Sequence, residues 1–302
     1  MIEDTPLLFI LGAGASQHIG YPLGGELRKQ ILHIANSDRS TPEKEILLSM
    51  GHSLDECSAF YNAFYYSGQN SIDAFLENRR EFISIGKRIM AQILIRYEDI
   101  NTLFRTEDNW YQYIFQKMMC PFEEFEYNSV CFITFNYDRS LEQYLFTALK
   151  ETFNESDERV ADAVEKIPII HVHGKLGDLP WQTPAGRLYS NQALTRSISA
   201  SARLLKIMHE DDVGDKDFLY AKKMLNKFTN IHFLGFGYHS LNLNRLGFPE
   251  IATPPYYNVF GTRVGLSELE TRTIYNEWGI DTTDASSNWT VLQYLREMVE
   301  FG

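Results

Sequence analysis

Five short runs of apolar residues punctuate the chain, and each stops at glycine or at a polar residue. They are Leu7–Leu11, Ser129–Phe135, Ile167–Val172, Asn230–Leu234 and Tyr256–Phe260. A run with little polar alternation is what a strand covered on both faces requires, as in a parallel sheet. Between the runs the apolar spacing becomes helical. Helices are predicted over Gly25–Ala35, Arg139–Lys150, Asp215–Phe228 and Leu241–Leu246, with two more starting near Ser267 and Asn288. Strand and helix alternating from end to end predict an α/β, Rossmann-like, doubly wound parallel sheet.

One region breaks that rhythm. From Thr41 to Pro121 the pattern is helical throughout. Ile72, Phe75, Leu76, Phe82, Ile83, Ile89, Met90, Ile93, Leu94 and Tyr97 recur at three and four, which predicts one long amphipathic helix after Ser71 as its N-cap. Trp110, Ile114, Phe115 and Met118 predict another. The chain therefore divides into a Rossmann-type domain at 1–40 and 126–302 and a helical insertion at 41–125, read as a lid or an assembly surface. The aromatic cluster Phe60, Tyr61, Phe64, Tyr65 and Tyr66 reads as core. Glu151–Lys166 is polar and reads as a surface loop or exposed helix. Leu179–Arg196, with Pro180, Pro184 and Gly186, reads as a long loop or flap.

The candidate chemistry sits where the strands end. After Leu11 come Gly12, Ala13, Gly14, Ala15 and Ser16, small residues that permit a tight turn and close approach of a ligand. A helix N-terminus after such a loop favours an anion. The third glycine of the common dinucleotide fingerprint is missing, so the loop alone fits a plain strand-to-helix turn equally well. The second run ends in Asn136, Tyr137 and Asp138, the third in His173 and Gly174, the fourth in Gly235, Phe236, Gly237, Tyr238 and His239. In open α/β sheets ligands bind at that edge. His171 and His173, two apart on a strand, are expected on one side. No Cys or carboxylate set accompanies them, so metal is not expected and His171 reads as structural. His18 and His239 fall at the rim.

Net charge and cysteines narrow the classes. A formal charge of −12 argues against direct nucleic-acid or membrane-surface binding, which needs clustered Lys and Arg. The N-terminus has no basic segment before an apolar run, no stretch has membrane-spanning length, and three widely separated cysteines, Cys57, Cys120 and Cys131, read as buried free thiols. A reducing cytoplasm fits these thiols and is the expected location.

Gly12-Ala13-Gly14-Ala15-Ser16, the spacing Thr134, Asn136, Asp138, the pair His173-Gly174 and the late glycines Gly235 and Gly237, in that order, resemble the Sir2 (sirtuin) superfamily, and within it the Sir2-like proteins of bacterial antiphage defence. That resemblance implies that the first loop, Asn136 and His173 surround the nicotinamide-riboside part of NAD⁺. Cleavage of the C1′–N bond passes through an oxocarbenium-like state, so positioning and electrostatics carry the rate. Asn136 then supplies a donor and an acceptor to ribose hydroxyls or water, and His173 accepts a proton. Asp138 orients its surroundings or stabilises positive charge. Ser16 and the amides of Ala13, Gly14 and Ala15 hold phosphate, with Gly235, Gly237, Tyr238 and His239 completing the binding set.

Departures from the family are informative. The paired CxxC motifs of the deacylase zinc ribbon are missing, and so is the segment that pairs with an acyl-lysine peptide. The resemblance then implies an NAD⁺ hydrolase acting by NAD depletion, in a gated homo-oligomer beside a second protein such as a HerA-like ATPase or a short Argonaute. The alternatives are a non-catalytic NAD or ADP-ribose scaffold, or an NAD-dependent deacylase or ADP-ribosyltransferase.

Overall fold

The computed structural model of the protein describes residues 1–3, 5–36, 40–207, 215–252 and 258–301. The five runs form one all-parallel sheet: β1 (Leu7–Leu11), β2 (Val130–Thr134), β3 (Ile169–His171), β4 (Asn230–Leu234) and β5 (Asn258–Gly261), in the order β3-β2-β1-β4-β5. Tyr256 and Tyr257, predicted to open the fifth strand, lie outside the described residues. β1 sits at the centre, in register with both neighbours: Leu7 pairs with Val130 on one side and Asn230 on the other.

Alternate residues of the strands feed two cores, as the pleat demands. Leu7, Phe9 and Leu11 of β1 join one core, while Leu8 and Ile10 join the other. The second core is closed by α11 (Lys216–Leu225), α12 (Ser240–Leu246) and α13 (Glu268–Trp278), through Leu225, Leu246 and Ile274. The first and larger core contains α1 (Gly24–Ala35), α8 (Ser140–Phe153), α9 (Asp157–Glu165), α14 (Val291–Met298) and the whole helical insertion. The sheet is thus covered on both faces, a Rossmann-like arrangement.

The insertion comprises α2 (Pro42–Ser49), α3 (Leu54–Tyr66), α4 (Ile72–Asn78), α5 (Ile83–Ile95), α6 (Ile100–Arg105) and α7 (Trp110–Met118). Its apolar face continues the main core rather than covering the site from outside. The single long helix expected after Ser71 is two helices. Arg79 leaves helical geometry (φ −127°, ψ 68°), and a 3₁₀ turn at Arg80–Phe82 follows. Gly86 then packs on Leu76, so closely that a Cβ there would stand 2.7 Å from a Leu76 methyl. The chain folds α5 back on α4, and both halves keep the apolar spacing that looked continuous. The aromatic cluster divides: Phe60 and Phe64 are buried, Tyr65 and Tyr66 are exposed. Cys57 and Cys131 are buried free thiols, but Cys120, in the turn after α7, is only half-buried.

Between β3 and β4 the long loop runs to α10 (Thr195–Leu204), a helix not predicted from the apolar spacing; it packs on α5. The loop is pinned from beneath. Arg139, fully buried at the start of α8, makes a two-point pair with Glu98, Nε–Oε1 2.8 Å and Nη2–Oε2 2.9 Å. It also donates to the carbonyls of Asp178, Arg187 and Leu188 at 2.7–2.8 Å, and Arg187 closes on Glu98 from the other side. Burying Arg139 and Glu98 is tolerable because they are paired and the Arg139 donors are satisfied. Among the described residues no helix is long and apolar enough to cross a membrane.

Removing Glu98 strands two guanidinium groups. Glu98→Ala should lower unfolding free energy by about 3–5 kcal/mol, read from urea titration, whereas Tyr66→Ala at an exposed site should stay within about 0.5 kcal/mol. A second expectation concerns His232 of β4, buried between Phe9 and Phe260 with Nδ1 2.9 Å from the Tyr294 hydroxyl. Burial lowers its pKa from 6.5 to about 4. The folded state holds the ring neutral, so its contribution is complete above pH 6.5 and is lost as pH falls toward 4. Between those limits stability should drop by up to about 1.4 kcal/mol per pH unit from this group. His232→Gln should flatten the measured slope by that amount; an unchanged slope contradicts the assignment.

Candidate functional site

The strand order makes β1 the point where the topology reverses. The chain leaves β1 toward β2 on one side, and β4 leads to β5 on the other. The loops after β1 and β4 therefore diverge at neighbouring strand ends, where open α/β sheets form a crevice. A cleft of about 850 Å³ lies there, within the size range of small-molecule sites. Gly12, Ala13, Gly14, Ser16, Asn136, Asp138, His173, Gly235, Gly237 and His239 border it together.

The two loops touch backbone to backbone. Gly12 N–H donates to Leu234 O at 3.0 Å, and Gly14 N–H donates to Gly235 O at 2.9 Å. Gly235 sits at φ +57°, and a Cβ on it would stand 2.1 Å from Ala15 N. A Cβ on Gly12 would stand 2.6 Å from Gly235 O. These glycines are required by the crossing itself. The segment expected as a glycine-rich turn leading into a helix winds as a 3₁₀ helix over Ala13–Ile19. Of the amides expected to hold phosphate, Gly14 N–H is taken by Gly235 O and Ala15 N–H by Gly12 O at 2.9 Å. The N-terminus of α1 borders the cleft at Leu23 and Gly24, and its dipole favours an anion there.

The polar centre is a short hydrogen-bonded chain. Ser16 Oγ–H donates to Asp138 Oδ2 at 2.7 Å, and Asp138 Oδ1 accepts from Ser140 N–H at 3.1 Å. Burial raises the Asp138 pKa, against the opposing effect of the bonds from Ser16 and Ser140. Asn136 Nδ2 donates to Gly12 O at 2.9 Å and to Ser16 Oγ at 3.0 Å. Gly12 O can only accept, which fixes the amide orientation. Both Asn136 N–H donors are thereby taken, so the side chain offers a ligand its Oδ1 acceptor, not the donor-and-acceptor pair expected from its residue type. Its backbone is fixed from below: Asn136 N–H donates to Thr134 Oγ1 at 3.0 Å, and His171 Nδ1 meets Asn136 O at 3.1 Å.

The two histidines expected on one side part company. β3 ends at His171, whose Nε2 lies 2.7 Å from Glu142 Oε1 of α8. Burial would raise the Glu142 pKa, but His171 and Lys175 outweigh it and bring it down to about 2. The chain then turns, and His173 lands in the cleft wall. Its ring meets Phe135 edge-on at 5.1 Å, with Tyr137 and Phe218 farther off. Its Nε2 is buried with no hydrogen-bond partner among the described residues. Burial, aided by Arg245 and Lys206 and opposed by Asp215, lowers its pKa to about 4, so the ring is neutral at pH 7.

Tyr238 leaves the binding set. It is buried at φ +51°, and its hydroxyl donates to Thr262 O at 2.7 Å, behind the cleft. Ala15 also faces inward; its carbonyl accepts from Trp110 Nε1–H at 2.7 Å. Other residues enter that the sequence did not single out. Asp73 of α4 accepts a hydrogen bond from the Tyr137 hydroxyl, and Glu107 and Asp108 line the wall between α6 and α7. No spacing signal marks them, because they come from an insertion whose path depends on the break at Arg79. Among the described residues that line the cleft there is no Lys or Arg, while Asp73, Glu107, Asp108 and Asp138 are all present. No group of His, Cys, Asp or Glu suited to a metal is found among the described residues.

The two glycines after β4 should respond unequally to a methyl group. Gly235→Ala adds strain at positive φ and a backbone clash, and should cost more than about 2 kcal/mol. Gly237→Ala meets only the edge of the His239 ring at 3.4 Å, so it should stay within about 1 kcal/mol. Thermal unfolding of both variants checks this, and equal losses contradict the crossing as described.

No protein-family model matches the chain, and no curated protein matches it.

Proposed function

We propose that the protein is an NAD⁺ hydrolase that cleaves NAD⁺ with water to ADP-ribose, nicotinamide and a proton. The observation that carries this reading is the joining of Asn136 to the Ser16–Asp138 pair, in a cleft that also holds the neutral imidazole of His173. In the reaction the bond between C1′ and the nicotinamide nitrogen breaks, its electron pair leaves with nicotinamide, and water adds to C1′. Asn136 Oδ1 accepts a hydrogen bond from a ribose hydroxyl or from that water. His173 takes up the proton released when water adds. The acidic lining, with no Lys or Arg among its described residues, suits the cationic nicotinamide-riboside end and the positive charge that grows on the sugar. Asp138 contributes to that field and holds Ser16 in place.

The wider reading rests on the Sir2-like motifs. It is a cytoplasmic defence effector that depletes NAD⁺, assembled as a homo-oligomer and gated by a second protein. Uncontrolled NAD⁺ cleavage would harm the cell that makes it, which favours such gating.

Chromatography of NAD⁺ incubated with the protein, alone and with the product of an adjacent gene, should give nicotinamide and ADP-ribose in equal amounts. Asn136→Ala and His173→Ala should each lower the rate at least about 100-fold, the scale of a lost acid–base or positioning group, in proteins that still unfold cooperatively on heating, at a somewhat lower temperature because both side chains also hold structure. NAD⁺ left intact under both conditions overturns the reading. The pH profile gives a second measure. With His173 near 4, the base form persists down to pH 5.5 and the rate should be nearly flat from pH 7 to 5.5. A base at an ordinary histidine pKa would lose nearly tenfold over that range.

A further inference from the structure

The β1 loop carries a second histidine that the hydrolase reading does not use. His18 lines the same cleft, beside Pro22, Leu23 and Trp110. It is fixed from three directions. Its Nδ1 lies 2.9 Å from Ala15 O, its own carbonyl accepts from Thr106 Oγ1–H at 2.7 Å, and its ring stands edge-on to Tyr111 at 4.7 Å between centroids. Trp110, which donates to the same Ala15 carbonyl, flanks it.

These contacts decide where the ring carries its proton. Ala15 O can only accept, so Nδ1 is the N–H. Nε2 is then a bare lone pair. It is buried and meets no donor among the described residues. Polar atoms in such positions ordinarily have a partner. Burial lowers the His18 pKa to about 4, against the small opposing effect of the Ala15 bond, so the ring stays neutral at pH 7.

We infer that His18 is a ligand-binding residue whose Nε2 accepts a hydrogen bond from a hydroxyl or amide N–H of the bound molecule. A lone pair facing a phosphate oxygen sets acceptor against acceptor, so the group against His18 Nε2 is a sugar or carboxamide, and a phosphate is left to the α1 N-terminus at Leu23 and Gly24. That reverses the role first expected of the loop, and it agrees with the capture of the Gly14 and Ala15 amides by backbone carbonyls. The acidic neighbours Glu107 and Asp108 on the adjoining wall disfavour phosphate there as well. The inference rests on the proposed site in naming NAD⁺-type ligands, and its chemistry holds for any hydroxyl- or amide-bearing occupant.

Calorimetric titration separates the two claims. The probes are NAD⁺, ADP-ribose, nicotinamide riboside and inorganic pyrophosphate, against wild type, His18→Phe and His18→Gln. His18→Phe keeps an aromatic ring beside Trp110 and Tyr111 and removes the acceptor; Ala15 O retains its bond from Trp110, so folding is preserved. Unchanged thermal unfolding checks that. His18→Phe should weaken NAD⁺ and at least one of the two riboside probes about tenfold, the worth of one ligand hydrogen bond. His18→Gln, which can present an amide oxygen in the same direction, should recover part of the loss. Pyrophosphate affinity should not change. Equal binding of all organic probes to wild type and His18→Phe overturns the role of His18, and so does a loss confined to pyrophosphate. Binding that depends on His18 without any nicotinamide release overturns the hydrolase alone. A wild-type protein that binds none of the organic probes overturns both.

Discussion

Two backbone segments cross at the centre of this protein with no side chain between them. The loop that follows β1 and the loop that follows β4 meet through Gly12, Gly14 and Gly235, close enough that any Cβ would collide with backbone atoms. The hydrogen bonds of this crossing fix the start of the 3₁₀ segment over Ala13–Ile19. That segment in turn places Ser16, and Ser16 orients both Asp138 and the amide of Asn136. The polarity of the cleft thus descends from a packing constraint. Asn136 shows an acceptor because its donors are used to hold the crossing together.

The helical insertion works in the same direction. It shares the larger core, donates to the β1 loop from Trp110 and Thr106, and meets the β2 end through Asp73 and Tyr137. Its residues Asp73, Thr106, Glu107, Asp108 and Trp110 line the cleft. Glu98, in the turn between α5 and α6, anchors Arg139 next to Asp138 and ties down the loop after β3. A buried charge cluster set directly behind a polar site gives the site a rigid floor. The same cluster makes both depend on the insertion remaining folded.

Much of this was legible from residue order. Unbroken apolar runs such as Leu7–Leu11 identified a sheet buried on both faces, and the clusters at Gly12, Asn136, His173 and Gly235 fell at one edge because parallel strands end together. Single-residue directions were not legible. Tyr238 turns into the core because positive φ at that position swings its ring behind Thr262. His171 and His173 separate because the strand ends between them, a boundary that periodicity does not mark. The split of the predicted long helix turned on one residue, Arg79, in an otherwise continuous apolar period. Asp73, Glu107 and Asp108 reach the cleft only through that split and the packing it permits. Hydrogen-bond consumption was invisible as well: sequence gives Asn136 its atoms, and only geometry says which remain for a ligand.

In the proposed hydrolase, bound NAD⁺ places its scissile C1′–N bond between Asn136 and His173, with its phosphates away from His18. A crystal structure of the Asn136→Ala protein soaked with NAD⁺ addresses this directly. Intact NAD⁺ is expected in the cleft, with C1′ beside the position of Asn136 Oδ1, facing His173, and a hydroxyl or amide against His18 Nε2. A pyrophosphate seated on His18, or a nicotinamide riboside lying outside the cleft, would contradict it.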